Sequence, residues 1–148
     1  MSLRSFLGEM HKKSEIQEVK EEVSPRFEVS AFMKEFDCGP ILYFDKVKGY
    51  ETKIVAGVCG TRQRLCWSLD ATPETLYQRL LEAWRKPTPP KKVRGGPVNE
   101  VVERARLSKL PILTHFERDA GPYITSAVVS AYNPEKKIEN VSIHRLQV

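Results

Sequence analysis

Cysteine is scarce in this 148-residue sequence: Cys38, Cys59 and Cys66 form no CxxC pair and leave an odd count. That speaks against a disulfide framework and a structural zinc site, and leaves three small buried thiols as the expectation. No apolar run approaches the ~18 residues that a membrane-crossing helix requires. The N-terminal stretch MSLRSFLGEMHKKSEIQ has no long apolar core of the kind that directs secretion, so the cytoplasm is the expected compartment. A Gly-rich phosphate loop is also missing, since Gly57-Val58-Cys59-Gly60 is one turn and not GxGxxG. No serine sits in a nucleophile elbow, and His11, His115 and His144 lack metal-ligand spacing.

What is present is the composition of a folded protein, 41% hydrophobic and 29% charged. The net charge of +5 is local. Residues 1–84 hold 12 Lys/Arg against 13 Asp/Glu, residues 95–148 hold 7 against 6, and residues 85–94 (RKPTPPKKVR) hold five bases and no acid. A nucleic-acid face would spread its bases over a folded surface among aromatics. A basic, Pro-rich run between two nearly neutral flanks reads instead as a solvated linker, so neither a nucleic-acid nor a membrane partner is expected.

The chain before the linker reads as α-β-α-β-β-α-α. Leu3, Phe6, Leu7 and Met10 repeat at helical spacing over 2–10. Residues 16–23 (IQEVKEEV) read as an edge strand protected by charge. Ser24-Pro25 should open a helix with Phe27, Ala31, Phe32 and Phe36 as its buried stripe, stopped by Gly39-Pro40. Strands are expected over 41–47 and 53–58, the second buried on both faces. A short helix should cover 62–69. Thr72-Pro73-Glu74 is a strong helix start, with Leu76, Leu80 and Ala83 along one stripe and Tyr77, Leu81 and Trp84 beside it. The expected fold class is α/β (α+β): an N-terminal α/β domain over 1–86, a Pro/Lys-rich linker over 87–97, and an incomplete antiparallel β domain over 98–148. Its strands are expected at 98–103, 112–116, 123–131 and 140–148, with Asp119-Ala120-Gly121-Pro122 and Asn133-Pro134 as turns.

The last of these strands, NVSIHRLQV, interleaves branched apolar residues with ligand-binding groups. Asn140 offers a neutral carbonyl oxygen suited to a hard cation such as Mg²⁺ or Mn²⁺. Arg145 offers a planar fork for a carboxylate or phosphate. Equally, Asn140 could simply end the turn over 134–139 and Arg145 could be a surface arginine. Strand alternation puts Asn140, Ser142 and His144 on one face and Val141, Ile143, Arg145 and Gln147 on the other. Asn140 and Arg145 can then serve one site only through a bulge, or through an extended ligand that wraps the strand and takes backbone groups from its middle. The wrapped ligand is the preferred reading. His115, in LTHF, reads as a strand histidine with a satisfied hydrogen bond.

These residues resemble the N-x-(S/G)-I-(Y/H)-R strand of the UbiD-type decarboxylases, which depend on prenylated flavin mononucleotide. Three other stretches agree in order and spacing: Gly39-Pro40 through Val47-Lys48-Gly49-Tyr50, Gly60-Thr61-Arg62, and Leu110-Pro111-Ile112 through Asp119-Ala120-Gly121-Pro122-Tyr123-Ile124-Thr125. His144 and the HFERDAGPYIT wording look most like archaeal members, some of which act on anhydromevalonate phosphate in isoprenoid synthesis. The resemblance implies an N-terminal α/β domain, a split β-barrel that binds the flavin, and loss of CO₂ from an α,β-unsaturated or aromatic carboxylate without net redox change. It implies that Asn140 ligates the metal (Mn²⁺, with K⁺ an alternative) that clamps the flavin phosphate. Ser142, Ile143 and His144 would line the cofactor, Arg145 would hold the substrate carboxylate and pair with an acid, and Thr125 would form pocket wall. In the family, the remaining metal ligands, the proton-donating acid and the rest of the barrel follow this strand. The chain is therefore similar to the first third of such an enzyme, to be completed by its remaining C-terminal portion or by a second subunit. The resemblance further implies a homo-oligomer, with a separate flavin prenyltransferase supplying the cofactor. The competing reading is a non-catalytic binding or assembly subunit derived from the same family.

Overall fold

The structure is a computed structural model that describes residues 2–89, 91 and 93–148. Its first part is a three-layer arrangement around a small mixed sheet. Strand β2 (Ile41–Phe44) is central, parallel to β1 (Ile16–Val19) and antiparallel to β3 (Ile54–Ala56). Strand alternation divides the core between the two faces. Leu42, Phe44, Ile54 and Ala56 point to one cluster with Val19, Val23, Val29 and Val47, covered by Phe32 and Phe36 of helix α2 (Glu28–Glu35). Ile41 and Val55 point to the other, where Phe6 and Met10 of helix α1 (Leu3–Lys12) are buried. The strand buried on both faces is thus β2. β3 lies at the sheet edge, half-buried, although its residues still feed both clusters. β1 is the opposite edge, as its charge implies.

Helix α1 starts where its spacing predicts, closed by a capping box between Ser2 and Ser5. Helix α2 starts three residues later than an N-cap at Ser24 implies, because the intervening backbone is used elsewhere. The Phe27 N–H donates to the Thr114 carbonyl and the Thr114 N–H to the Pro25 carbonyl, holding residues 25–27 out of the helix. Phe27, the helix N-cap, takes a left-handed φ of 72°. The later start rotates the buried stripe: Val29, Phe32 and Phe36 face the core, and Ala31 is exposed.

Helix α3 (Arg62–Ser68), capped by Thr61, brings in Arg64, the one charged side chain of the buried set. Its Nη2 donates to the Gly39 carbonyl at 2.7 Å and its Nη1 to Glu15 Oε2 at 3.2 Å, tying α3 to the loops before β1 and β2. A β-carbon at Gly60 would lie 2.9 Å from Arg64 Nη2 and 3.0 Å from the Gly57 carbonyl oxygen, so a larger residue there would crowd the guanidinium. At the start of helix α4 (Leu76–Arg85), Thr72 and Thr75 exchange backbone-to-hydroxyl bonds and the Leu76 N–H donates to the Thr72 carbonyl. A turn therefore forms at the expected signal, and the helix itself starts at Leu76, three residues after Pro73. Of the apolar stripe only Leu76 is buried; Tyr77, Leu80, Leu81 and Trp84 are exposed. Likewise Cys66 alone is a buried thiol, and Cys38 and Cys59 are exposed.

Beyond the linker the strand expectations need correction. Residues 98–103 form no strand. A 3₁₀ turn occupies Pro97–Asn99, residues 101–106 are irregular, and Val98, Val101 and Val102 are exposed. β-propensity is realised only against a partner strand, and none stands beside this run among the described residues. Residues 112–116 contribute only a bridge from Thr114 to Arg26, because the next two donors, the His115 and Phe116 N–H groups, go to Asp119 Oδ2 at 3.2 and 2.9 Å. The two later strands are real and longer than expected: β4 (Tyr123–Asn133) and β5 (Ile138–Gln147) pair as an antiparallel hairpin. Instead of four strands, this part of the described chain holds two. The fold class is mixed α/β with small sheets.

Candidate functional site

Strand β5 carries the residues singled out by sequence, and its register against β4 decides where each one goes. From Ile138 to His144 the pairing is regular: Asn133↔Ile138, Ala131↔Asn140, Val129↔Ser142 and Ala127↔His144. Asn140, Ser142 and His144 therefore share one face, and the Ser142 hydroxyl and His144 Nε2 are hydrogen-bonded at 2.8 Å. The opposite face bears Val128 paired with Ile143, flanked by Val141 and Tyr132, all exposed. Because the hairpin is a two-stranded sheet, the outer edge of β5 has no strand partner among the described residues. Every second residue thus presents its N–H and C=O outward.

A bulge does occur, on the partner strand. Pairing shifts between Ile124↔Leu146 and Ala127↔His144, so Thr125 and Ser126 stand against Arg145 alone. It lies beside Arg145 and leaves β5 regular from Ile138 through His144. Asn140 and Arg145 consequently serve different concavities. Arg145 and Thr125 line a cavity of about 560 Å³ together with His115, Phe116, Arg118, Asp119, Ala120 and Tyr123. Asn140 lines a second depression, of about 460 Å³, with residues of the β4–β5 turn. They stand five positions apart on the strand, roughly 17 Å at the ordinary rise.

The loop over the Arg145 cavity is held from both sides. Asp119 accepts from the His115 and Phe116 N–H groups, and the His115 carbonyl accepts from the Ser30 hydroxyl at 2.9 Å. Tyr123 Oη donates to Gln147 Oε1 at 3.0 Å across the hairpin. His115 is thus a loop residue on the cavity wall and not a strand histidine. Sequence reading missed Arg118 and treated Asp119 only as part of a turn. The signal available was H-x-x-R-D on a tight turn just ahead of the strand that carries Thr125. A cavity of this size is ordinary for a small-molecule site. A larger one, about 1060 Å³, lies between α1, α3 and α4, with Lys13 over Trp67, and contains none of the residues of the strand motif. Among the described residues no group of three or more His, Cys, Asp or Glu is placed to hold an ion.

Comparison with known proteins agrees with the strand motif. Residues 7–84 match the N-terminal domain, and residues 91–148 the Rift-related domain, of 3-octaprenyl-4-hydroxybenzoate carboxy-lyase. The chain belongs to the UbiD family of carboxy-lyases. It is 35% identical over 99% of its length to the anhydromevalonate phosphate decarboxylase of Methanothermobacter thermautotrophicus, covering 34% of that protein. It is 39% identical over its whole length to the enzyme of the same name from Methanosarcina mazei, again covering 34%. Among solved structures it is similar to the UbiD-class enzyme HmfF from Pelotomaculum thermopropionicum. The FMN complex of HmfF gives a TM-score of 0.93 at 39% identity, with 99% of this chain and 34% of that one covered. An evolved dimeric form of HmfF in complex with prFMN gives 0.92 at 40%, with 99% and 35% covered. The chain spans about a third of the length of these relatives.

Proposed function

We propose that this chain supplies the N-terminal third of a non-oxidative decarboxylase that uses prenylated FMN on an α,β-unsaturated or aromatic carboxylate. Anhydromevalonate phosphate, converted to isopentenyl phosphate, is the specific substrate favoured by the two archaeal relatives. The observation that carries the reading is the layout of one strand. β5 places a guanidinium in a ligand-sized cavity at one end and an amide oxygen beside a second depression at the other, with an unpaired backbone edge between. A long, flat, polar-edged ligand fits that layout better than a compact one.

In this assignment Arg145 grips the substrate carboxylate through two parallel N–H···O bonds and fixes the direction of the bond to be broken. Thr125 forms wall beside it. Ser142, Ile143 and His144 line the cofactor, largely through backbone, and the Ser142–His144 bond fixes the imidazole. Asn140 contributes one oxygen to a Mn²⁺ ion, with K⁺ as an alternative, that neutralises the flavin phosphate. The bound flavin supplies a sink for the electron pair released as CO₂ departs. The remaining metal ligands and the proton donor come from the C-terminal portion or a second subunit. The working arrangement is a cytoplasmic homo-oligomer served by a separate flavin prenyltransferase, with residues 1–86, 87–97 and 98–148 as domain, linker and first part of the flavin-binding barrel.

Combining this chain with the remaining portion, prenylated FMN and Mn²⁺ should give CO₂ release from the unsaturated carboxylate. A stable complex with verified cofactor and no turnover would contradict the reading and favour an assembly subunit.

A further inference from the structure

We infer that Ser30 is a positioning residue for the reaction: its hydroxyl, acting through the His115 carbonyl, seats the loop beside Arg145 on the N-terminal part of the chain. The inference rests on the decarboxylase reading above. It starts from where the two parts of the chain meet. Among the described residues, three hydrogen bonds cross from residues 1–86 to residues 98–148, and all three join 25–30 to 114–115. Two are backbone bonds, from the Phe27 N–H to the Thr114 carbonyl at 3.0 Å and from the Thr114 N–H to the Pro25 carbonyl at 3.2 Å. The third is made by a side chain, from the Ser30 hydroxyl to the His115 carbonyl. Beside this seam Leu113 packs against the core cluster of the first sheet.

A helical serine ordinarily returns its hydroxyl to a carbonyl three or four residues back, which is a purely local matter. Ser30 does so, at 2.8 Å from the Phe27 carbonyl oxygen, yet its hydroxyl also stands 2.9 Å from the carbonyl oxygen of His115, 85 positions along the chain. One proton is thus shared between helix and loop. The Phe27 backbone is bent to fit, with φ 72° and ψ −37°. A bulky residue rarely adopts that conformation, and it persists only where the surroundings hold it.

The seam fixes two things at once. From His115 the chain runs to Asp119, whose carboxylate closes the loop on the His115 and Phe116 N–H groups. The Leu113 carbonyl accepts from the Tyr123 N–H at 2.9 Å, which sets the start of β4 two residues before Thr125. Thr125 and Ser126 in turn stand against Arg145. A shift at His115 is therefore passed to the loop and to the strand opposite the guanidinium, where small errors of alignment slow a reaction.

The test uses the complete decarboxylase loaded with prenylated FMN, turning over the unsaturated carboxylate, and compares S30A, S30T and S68A with wild type. Ser68 is the control, since it also returns its hydroxyl to a carbonyl three residues back and is bonded to nothing in the second part of the chain among the described residues. S30A should lower kcat about 3- to 10-fold, the effect of one neutral hydrogen bond, with KM within about twofold. Flavin content and melting temperature should stay at wild-type values, because alanine suits a helix. Amide hydrogen exchange should quicken over residues 113–119 and not in α1 or the first sheet. S30T keeps the hydroxyl and should recover most of kcat, and S68A should match wild type throughout. Normal kcat in S30A, an equal loss in S68A, or unchanged exchange over 113–119 would overturn the assignment. A fall in melting temperature or flavin content that accounts for the lost turnover would leave Ser30 a role in the fold alone and overturn it as well. A wild-type enzyme without turnover would instead remove the decarboxylase reading on which the inference stands.

Discussion

Replacing Arg145 by alanine separates a catalytic guanidinium from a decorative one. Arg145 is exposed, pairs with no acid among the described residues and lines the cavity shared with Thr125. Removing it breaks no ion pair among the described residues, so the unfolding free energy of this chain should stay within about 0.5 kcal/mol of wild type. The bidentate grip on the carboxylate comprises two charged hydrogen bonds of about 1.5–3 kcal/mol each. Their joint loss, about 3–5 kcal/mol, lowers kcat/KM by roughly two to four powers of ten. Lysine keeps the charge and forfeits the fork, so Arg145→Lys should lose about one to two powers of ten. The assay is CO₂ release by the complete enzyme at matched flavin content, beside urea denaturation of each variant. Turnover of Arg145→Ala within fivefold of wild type would refute the role. So would a drop in stability large enough to explain the lost activity.

Two predictions concern the fold. Arg64→Ala removes the charged bond to the Gly39 carbonyl and opens a void beside Gly60, at a cost of about 2–4 kcal/mol in urea denaturation; a cost below about 1 kcal/mol would show that the buried guanidinium does not tie the loops together. The Asp45 carboxyl is held below its ordinary range by the hydrogen bond and charge of Lys53, whose own pKa is raised chiefly by the bond to Asp45. Glu74 is held low by the Thr72 hydroxyl and its own backbone. A depressed carboxyl contributes stability that is present above its unfolded pKa of about 4 and is lost as pH falls through the lower folded value. Stability should therefore fall below about pH 4, and the double variant Asp45→Asn/Glu74→Gln should flatten that slope by lowering stability at neutral pH while matching wild type in acid. An unchanged acid slope would contradict it.

Much of the first part was legible because its signals are local. Leu3, Phe6, Leu7 and Met10 specify α1 within about two turns of chain, and the turn that opens α4 is a reciprocal Thr72–Thr75 pair three residues apart. What failed depends on distant partners. The stripe of α2 shifted because Thr114, almost ninety residues away, takes the backbone bonds of residues 25–27. Val98, Val101 and Val102 carry a strand composition with nothing to pair against among the described residues. At the site, alternation was enough to put Asn140, Ser142 and His144 on one face. It could not reveal that a bulge in β4 sets Thr125 against Arg145, since a bulge belongs to the pairing of two strands. Arg118 escaped for the same reason: only folding lays its loop over the end of β5.

The most direct test of the central claim is an anomalous-scattering map of the complete enzyme loaded with prenylated FMN and Mn²⁺. The account predicts a manganese peak about 2–2.6 Å from Asn140 Oδ1, the range of oxygen contacts to hard cations, with the flavin running along the outer edge of β5 toward Arg145. A flavin bound away from β5, or a metal with Asn140 outside its coordination shell, would contradict it.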